Sequence, residues 1–179
     1  HLELLSKEAY PSAKECGKCH EQHFREWSVS AHAYAAVSPM FHKFEQTMND
    51  LTSGTVGYFC LRCHSPVGTS INHCRDQSIW DSILAAREGV TCIACHRVVE
   101  RYGKSNGERR IETGSIFDPV VASSGDNSLS EILAKKDYHK VKTSPDDKGP
   151  GQAIHRDVIC FEQLSSSHFC ASCHQVAIY

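Results

Sequence analysis

The chain has 179 residues, enough for one ordinary domain and no ground for expecting two, so 1–179 is read as a single domain. A formal charge of −2 with neutral histidines offers no bulk field for nucleic acid or an anionic membrane, and no apolar run reaches the roughly 18 residues that a membrane span needs. Ten cysteines and twelve histidines stand beside seven Phe, six Tyr and two Trp, so something other than side chains is expected to fill the core.

The N-terminal HLELLSKEAYPSAKEC lacks the charged, apolar and small-residue order of a signal peptide, and the chain is read as soluble and already processed. The next stretch, ECGKCHEQHFREWSVSAH at 15–32, has no Gly beyond CGKCH, and the first following Pro is Pro39. A helix of about five turns is predicted from Cys16 to about Ala36. CGKCH (Cys16, Cys19, His20) then recurs as CLRCH (Cys60, Cys63, His64), CIACH (Cys92, Cys95, His96) and CASCH (Cys170, Cys173, His174).

C-x-x-C-H is the attachment pattern of c-type haem. Two thiols one helical turn apart can form thioethers with the two vinyl groups, and the next imidazole is carried beneath the ring to bind iron. Paired C-x-x-C units also build zinc ribbons. The trailing histidine weighs against zinc: at this composition it follows by accident in roughly 1 of 15 cases, so four of four is on the order of 10⁻⁵. Four covalently attached haem c groups are therefore expected, with porphyrin supplying much of the buried apolar volume.

Further along the chain, SIWDSILAARE at 78–88 has a capping-box start and ends at Gly89, predicting a helix that delivers the third motif. Asn106-Gly107, between strand-prone runs, predicts one small β-hairpin near 98–113. A short helix is predicted over 128–137, a surface loop over KTSPDDKGPGQ, and a final helix through 162–174. The fold class is mainly α with little sheet, organised around the haems.

Cys74 and Cys160 lie outside the motifs and suggest one disulfide worth about 2 to 4 kcal/mol, the bland alternative being two buried free thiols. Met40 and Met48 are too few to supply second axial ligands for four irons. His1, His23, His32, His42, His73, His139, His155 and His168 leave eight candidates for four places, so bis-histidine ligation is the default. His23, three residues after His20, is read as a solvent or propionate contact. His32, twelve residues past His20 and so about 18 Å along a continuous helix, is suited to a neighbouring haem.

CGKCHEQHFREWSVSAHAYA, CLRCHSPV, GVTCIACHRV and SSSHFCASCHQ resemble stations of the multihaem cytochromes related to the tetrahaem carrier of nitrifying bacteria, hydroxylamine oxidoreductase and octahaem tetrathionate reductase. The likeness spans about 16–176, with 97–160 carried by order more than by motif. It implies that His32, in the W-x-x-S-x-H station with Trp27 and Ser30, is the distal ligand opposite His96. It also implies His139 opposite His174, with His155 next in line. The related carrier takes a first-haem ligand from beyond its fourth motif, where this chain has no histidine. His42, His155 or His168 then substitutes, or another subunit supplies the ligand, as in tetrahaem cytochromes that polymerise into extracellular nanowires.

The function implied is electron transfer without catalysis. The chain would be a filament subunit at the cell surface, self-associating into a homopolymer and meeting redox proteins or extracellular acceptors. The alternatives are a periplasmic shuttle and a small multihaem reductase with one open iron. Haem addition outside the cytoplasm implies an exported protein.

Overall fold

The computed structural model describes residues 9–99, 106–125 and 127–176. Short helices dominate. In place of one helix from Cys16 to Ala36 there are three: α1 (Ala13–Gly17), α2 (Glu21–Ser28) and α3 (Ala31–Tyr34). Serines set the start of α1 and the break before α3. Ser12 Oγ accepts from Glu15 N at the start of α1, and Ser30 Oγ accepts from Ala33 N at 3.3 Å to start α3. A serine that hydrogen-bonds a later backbone N–H favours an N-cap over a helix interior. His32 therefore sits on a separately oriented turn, and the 18 Å separation of a continuous helix does not apply.

The longest helix, α4 (Pro39–Thr52), starts on Ser38 and Pro39 and stops at Ser53, whose φ of 49° is left-handed. Two one-turn helices follow, α5 (Leu61–His64) and α6 (Pro66–Ser70). The helix expected over 78–88 divides into a 3₁₀ turn (Ile79–Asp81) and α7 (Leu84–Arg87), parted by extended backbone at Ser82 and Ile83. α8 (Ile93–His96) carries the third motif. The helix expected over 128–137 becomes α9 (Asn127–Ala134) and α10 (Lys136–His139). The last expected helix becomes a 3₁₀ turn (Glu162–Ser165) and α11 (Ser167–His174), separated at Ser166, whose hydroxyl caps α11.

Among the described residues, sheet is confined to two parallel pairs. β1 (Val120–Ala122) lies in register with β4 (Val158–Cys160), and β2 (Val141–Lys142) pairs with β3 (Gln152–Ala153) across the Pro- and Gly-rich loop. At the expected hairpin, the described residues contain one antiparallel bridge, Val98 to Ile111, with Gly107 at φ 68°. Residues 100–105 lie outside the described residues.

The core gathers around the second and third motifs. Leu61, Ile93 and Ala94 occupy variable positions inside CLRCH and CIACH, and they pack with Tyr10, Val67 and Ile79. Burying a branched aliphatic side chain contributes about 1.5–3 kcal/mol, so these positions anchor the motif turns while their cysteines stay half-buried. Ser65 is fully buried; its Oγ donates to Ala86 O at 2.6 Å and accepts from Gly68 N, tying the second motif to α7. Cys74 and Cys160 are free thiols rather than a disulfide. Each is held locally, Cys74 on Asp76 Oδ1 at 2.9 Å and Cys160 on Ser123 O at 3.7 Å.

Candidate haem-binding site

The four motifs meet in two pairs that alternate along the sequence. The Cys16 thiol of the first motif lies beside Cys92 of the third, and Cys63 of the second lies beside Cys173 of the fourth. In each pair the interaction between the two thiols pushes Cys16 and Cys63 up and Cys92 and Cys173 down.

The first pair is stapled by long-range hydrogen bonds. Trp27 Nε1 donates to Val90 O at 2.9 Å, Val90 N donates to His32 O at 3.0 Å, and Ala13 N donates to Glu88 Oε2 at 2.7 Å. Gly89, at φ 74°, lets this crossing form: a Cβ there would lie 2.5 Å from His32 O. At the second pair, Gly107 N donates to Ser172 O at 2.6 Å, and its Cα packs so closely that a Cβ would meet Cys63 Sγ at the same distance.

The histidines separate by what holds them. His64 Nδ1 contacts Ala35 O at 2.9 Å, His96 Nδ1 contacts Val121 O at 2.9 Å on β1, and His155 Nδ1 contacts Ile116 O at 2.6 Å. A carbonyl can only accept, so Nδ1 carries the proton and Nε2 keeps a bare lone pair, the form that binds metal. Burial holds His155, His32 and His42 below the ordinary imidazole range, which favours the neutral ligand form.

Two motif histidines have a second imidazole nearby. His155 stacks parallel to His20, with ring centroids 6.3 Å apart and planes 6° apart. His32 faces His174 at 6.0 Å and 52°. Two imidazoles on opposite sides of one metal, each bound through nitrogen at about 2 Å, hold their centroids about 6 Å apart. His23 also lies 6.2 Å from His20, but on the adjoining turn, with its Nδ1 turned 3.7 Å toward Glu26.

The His32 ring lies 6.0 Å from that of His174 in the fourth motif, while its carbonyl accepts from Val90 N beside the third, the motif the resemblance implies. His139 stands exposed on α10, edge-on to Tyr138. His168 is exposed and contacts Ser166 Oγ. His42 stacks on Trp80 at 4.9 Å, and its Nε2 is buried without a hydrogen bond. His73 is buried, with Nε2 on Gln77 O at 3.2 Å. His1 lies outside the described residues. Sequence reasoning missed Arg109, which braces the third and fourth motifs; its only sequence signal is its place just after the Asn-Gly turn.

The protein surface fits a large apolar prosthetic group. Its accessible area is 11434 Å², about a third more than the roughly 8,700 Å² usual for a folded chain of this mass. Met40, Phe44, Met48 and Leu51 form an exposed apolar stripe along α4, and Phe59 is exposed beside Cys60. Among the described residues no group of three His, Cys, Asp or Glu converges on a metal position, as a zinc ribbon would require.

Half-buried C-x-x-C-H turns, imidazoles held through Nδ1 and exposed apolar surface are the features that covalent haem c attachment requires. Residues 15–97, which contain the first three motifs, match the family model described as cytochrome c554 and c-prime. The crystal structure of a penta-heme cytochrome c552 from Thermochromatium tepidum is similar over 91% of this chain, with a TM-score of 0.55 and 26% sequence identity. The chain spans 45% of the length of that protein. No curated protein matches the chain. Both comparisons make the chain similar to c-type cytochromes over these stretches. Among the described residues no helix is long and apolar enough to cross a membrane.

Proposed function

We propose that the protein transfers electrons through four haem c groups attached at Cys16 and Cys19, Cys60 and Cys63, Cys92 and Cys95, and Cys170 and Cys173. The motif ligands are His20, His64, His96 and His174. The observation that carries this reading is the second imidazole beside two motif histidines, His155 beside His20 and His32 beside His174. When bound, haem supplies a one-electron iron couple whose potential follows its axial ligands and its burial.

The protein's part is placement. Carbonyls of Ala35, Val121 and Ile116 fix the rotation and tautomer of His64, His96 and His155, so little rearrangement accompanies a change of charge. The contacts of Cys16 with Cys92 and of Cys63 with Cys173 set adjacent attachment points side by side, which shortens the path between neighbouring groups.

Among the described residues, no ring pair joins His64 or His96 to a second histidine, while His139 and His168 are exposed with local partners only. This arrangement favours self-association, an exposed histidine of one copy completing a site on the next. A head-to-tail contact that does not close makes a filament, and the near-zero charge tolerates it. We therefore favour an exported, cell-surface polymer, with a periplasmic shuttle as the alternative.

Intact mass of the native protein counts the haems, and four thioether-linked groups are expected. Carbon monoxide binding to the reduced protein reads open iron. Saturated irons in the polymer and open ones only after dissociation support the filament. Small particles at all concentrations in electron microscopy, with every iron closed, support the shuttle; carbon monoxide binding in the intact assembly indicates a reductase.

A further inference from the structure

Arg109 lies where the third and fourth motifs converge. Its Nη1 donates to Ala94 O at 3.2 Å and stands 4.0 Å from Cys95 Sγ, inside CIACH. On the other side, Nη2 donates to Phe169 O at 2.7 Å and to Ser172 Oγ at 2.6 Å, Nε reaches the same hydroxyl, and the guanidinium sits 4.2 Å over the Phe169 ring. Among the described residues these partners are carbonyls, a hydroxyl, a thiol and a π face, and none of them is a carboxylate. The charge is held in a fixed, partly buried position, where solvent screens it less than on an open surface.

We propose that Arg109 raises the reduction potentials of the haems at the third and fourth motifs. The inference rests on haem attachment at Cys92 and Cys95 and at Cys170 and Cys173. Reduction adds one electron to the iron, supplied by the redox partner, and a fixed positive charge stabilises the state that holds it. Arg109 is a positioning residue in this role: it touches the protein edge of both attachment turns and no reacting atom.

A unit charge on the order of 10 Å from a reducible centre, at an effective dielectric constant of about 20, shifts a one-electron equilibrium by roughly tenfold, or 59 mV. Spectroelectrochemical titration of the haem-loaded protein, after a haem count by intact mass, tests this in R109Q, R109M and R109K. R109M protects against failed folding, because an apolar side chain of similar length is often tolerated where a buried charge is removed.

The expected result is a fall of about tenfold in the reduction equilibrium of two haems in R109Q and R109M, with R109K close to the parent. Unmoved potentials in R109Q and R109M, with all haems attached, overturn the inference alone. A fall in R109K equal to that in R109Q overturns it as well, since the fork geometry rather than the charge would then matter. Absence of haem from the last two motifs of the parent protein overturns both this inference and the tetrahaem reading.

Discussion

Gly89→Ala probes the crossing that fixes His32. At φ 74° an alanine enters the left-handed region at a cost of about 1–2 kcal/mol. Its Cβ would also stand 2.5 Å from His32 O and 3.3 Å from Ala33 O. His32 O cannot swing aside freely, because it accepts from Val90 N at 3.0 Å. Forced backbone strain adds about 1–3 kcal/mol, giving a total of about 2–5 kcal/mol. With a urea slope of about 2 kcal/mol per molar, the unfolding midpoint should fall by about 1–2.5 M. The displaced atom belongs to His32, so the low-spin signal of the haem held by His174 should change in the same variant. A midpoint shift below about 0.3 M together with an unchanged signal would refute this account of the crossing.

His155→Ala should open the iron held by His20, and carbon monoxide titration of the reduced variant should show one binding site more than the parent. Equal binding in the two proteins would remove His155 from the ligand set. Ser65→Ala leaves buried Ala86 O and Gly68 N without their partner and should cost about 1–3 kcal/mol by denaturant unfolding, with the haem content intact. Burial holds the Glu45 carboxyl above its usual range, against the opposing hydrogen bond from Asn49. Its contribution to stability is full below the unfolded-state pKa and is lost as pH rises through the folded value, so Glu45→Gln should gain stability over the parent at neutral pH and lose that advantage in acid. A pH-independent difference between the two would show that the carboxyl does not titrate as its burial requires.

The chemistry of the attachment turns was legible because it is local: two cysteines and a histidine within five residues carry it wherever the turn sits. The helix breaks were legible in principle. Ser30 and Ser166 each stand where a hydroxyl caps the next turn, and a continuous apolar pattern hid them. The partners of the histidines were not legible. His32 meets His174 across 142 positions, and His155 meets His20 across 135, through contacts that depend on Gly89, Trp27 and the β1–β4 pairing rather than on anything near them in sequence. Arg109 was equally hidden, since one arginine among the 19 basic residues gains meaning only from the two turns it bridges.

The alternation of motifs, first with third and second with fourth, means that the two halves of the chain are not two smaller carriers joined end to end. A fragment ending before residue 90 would keep two attachment turns but lose the structural neighbour of each. As the chain emerges in synthesis, Cys16 waits 76 residues for Cys92, and Cys63 waits 110 for Cys173. The two attachment pairs interlock, so each draws one turn from the first half of the chain and one from the second.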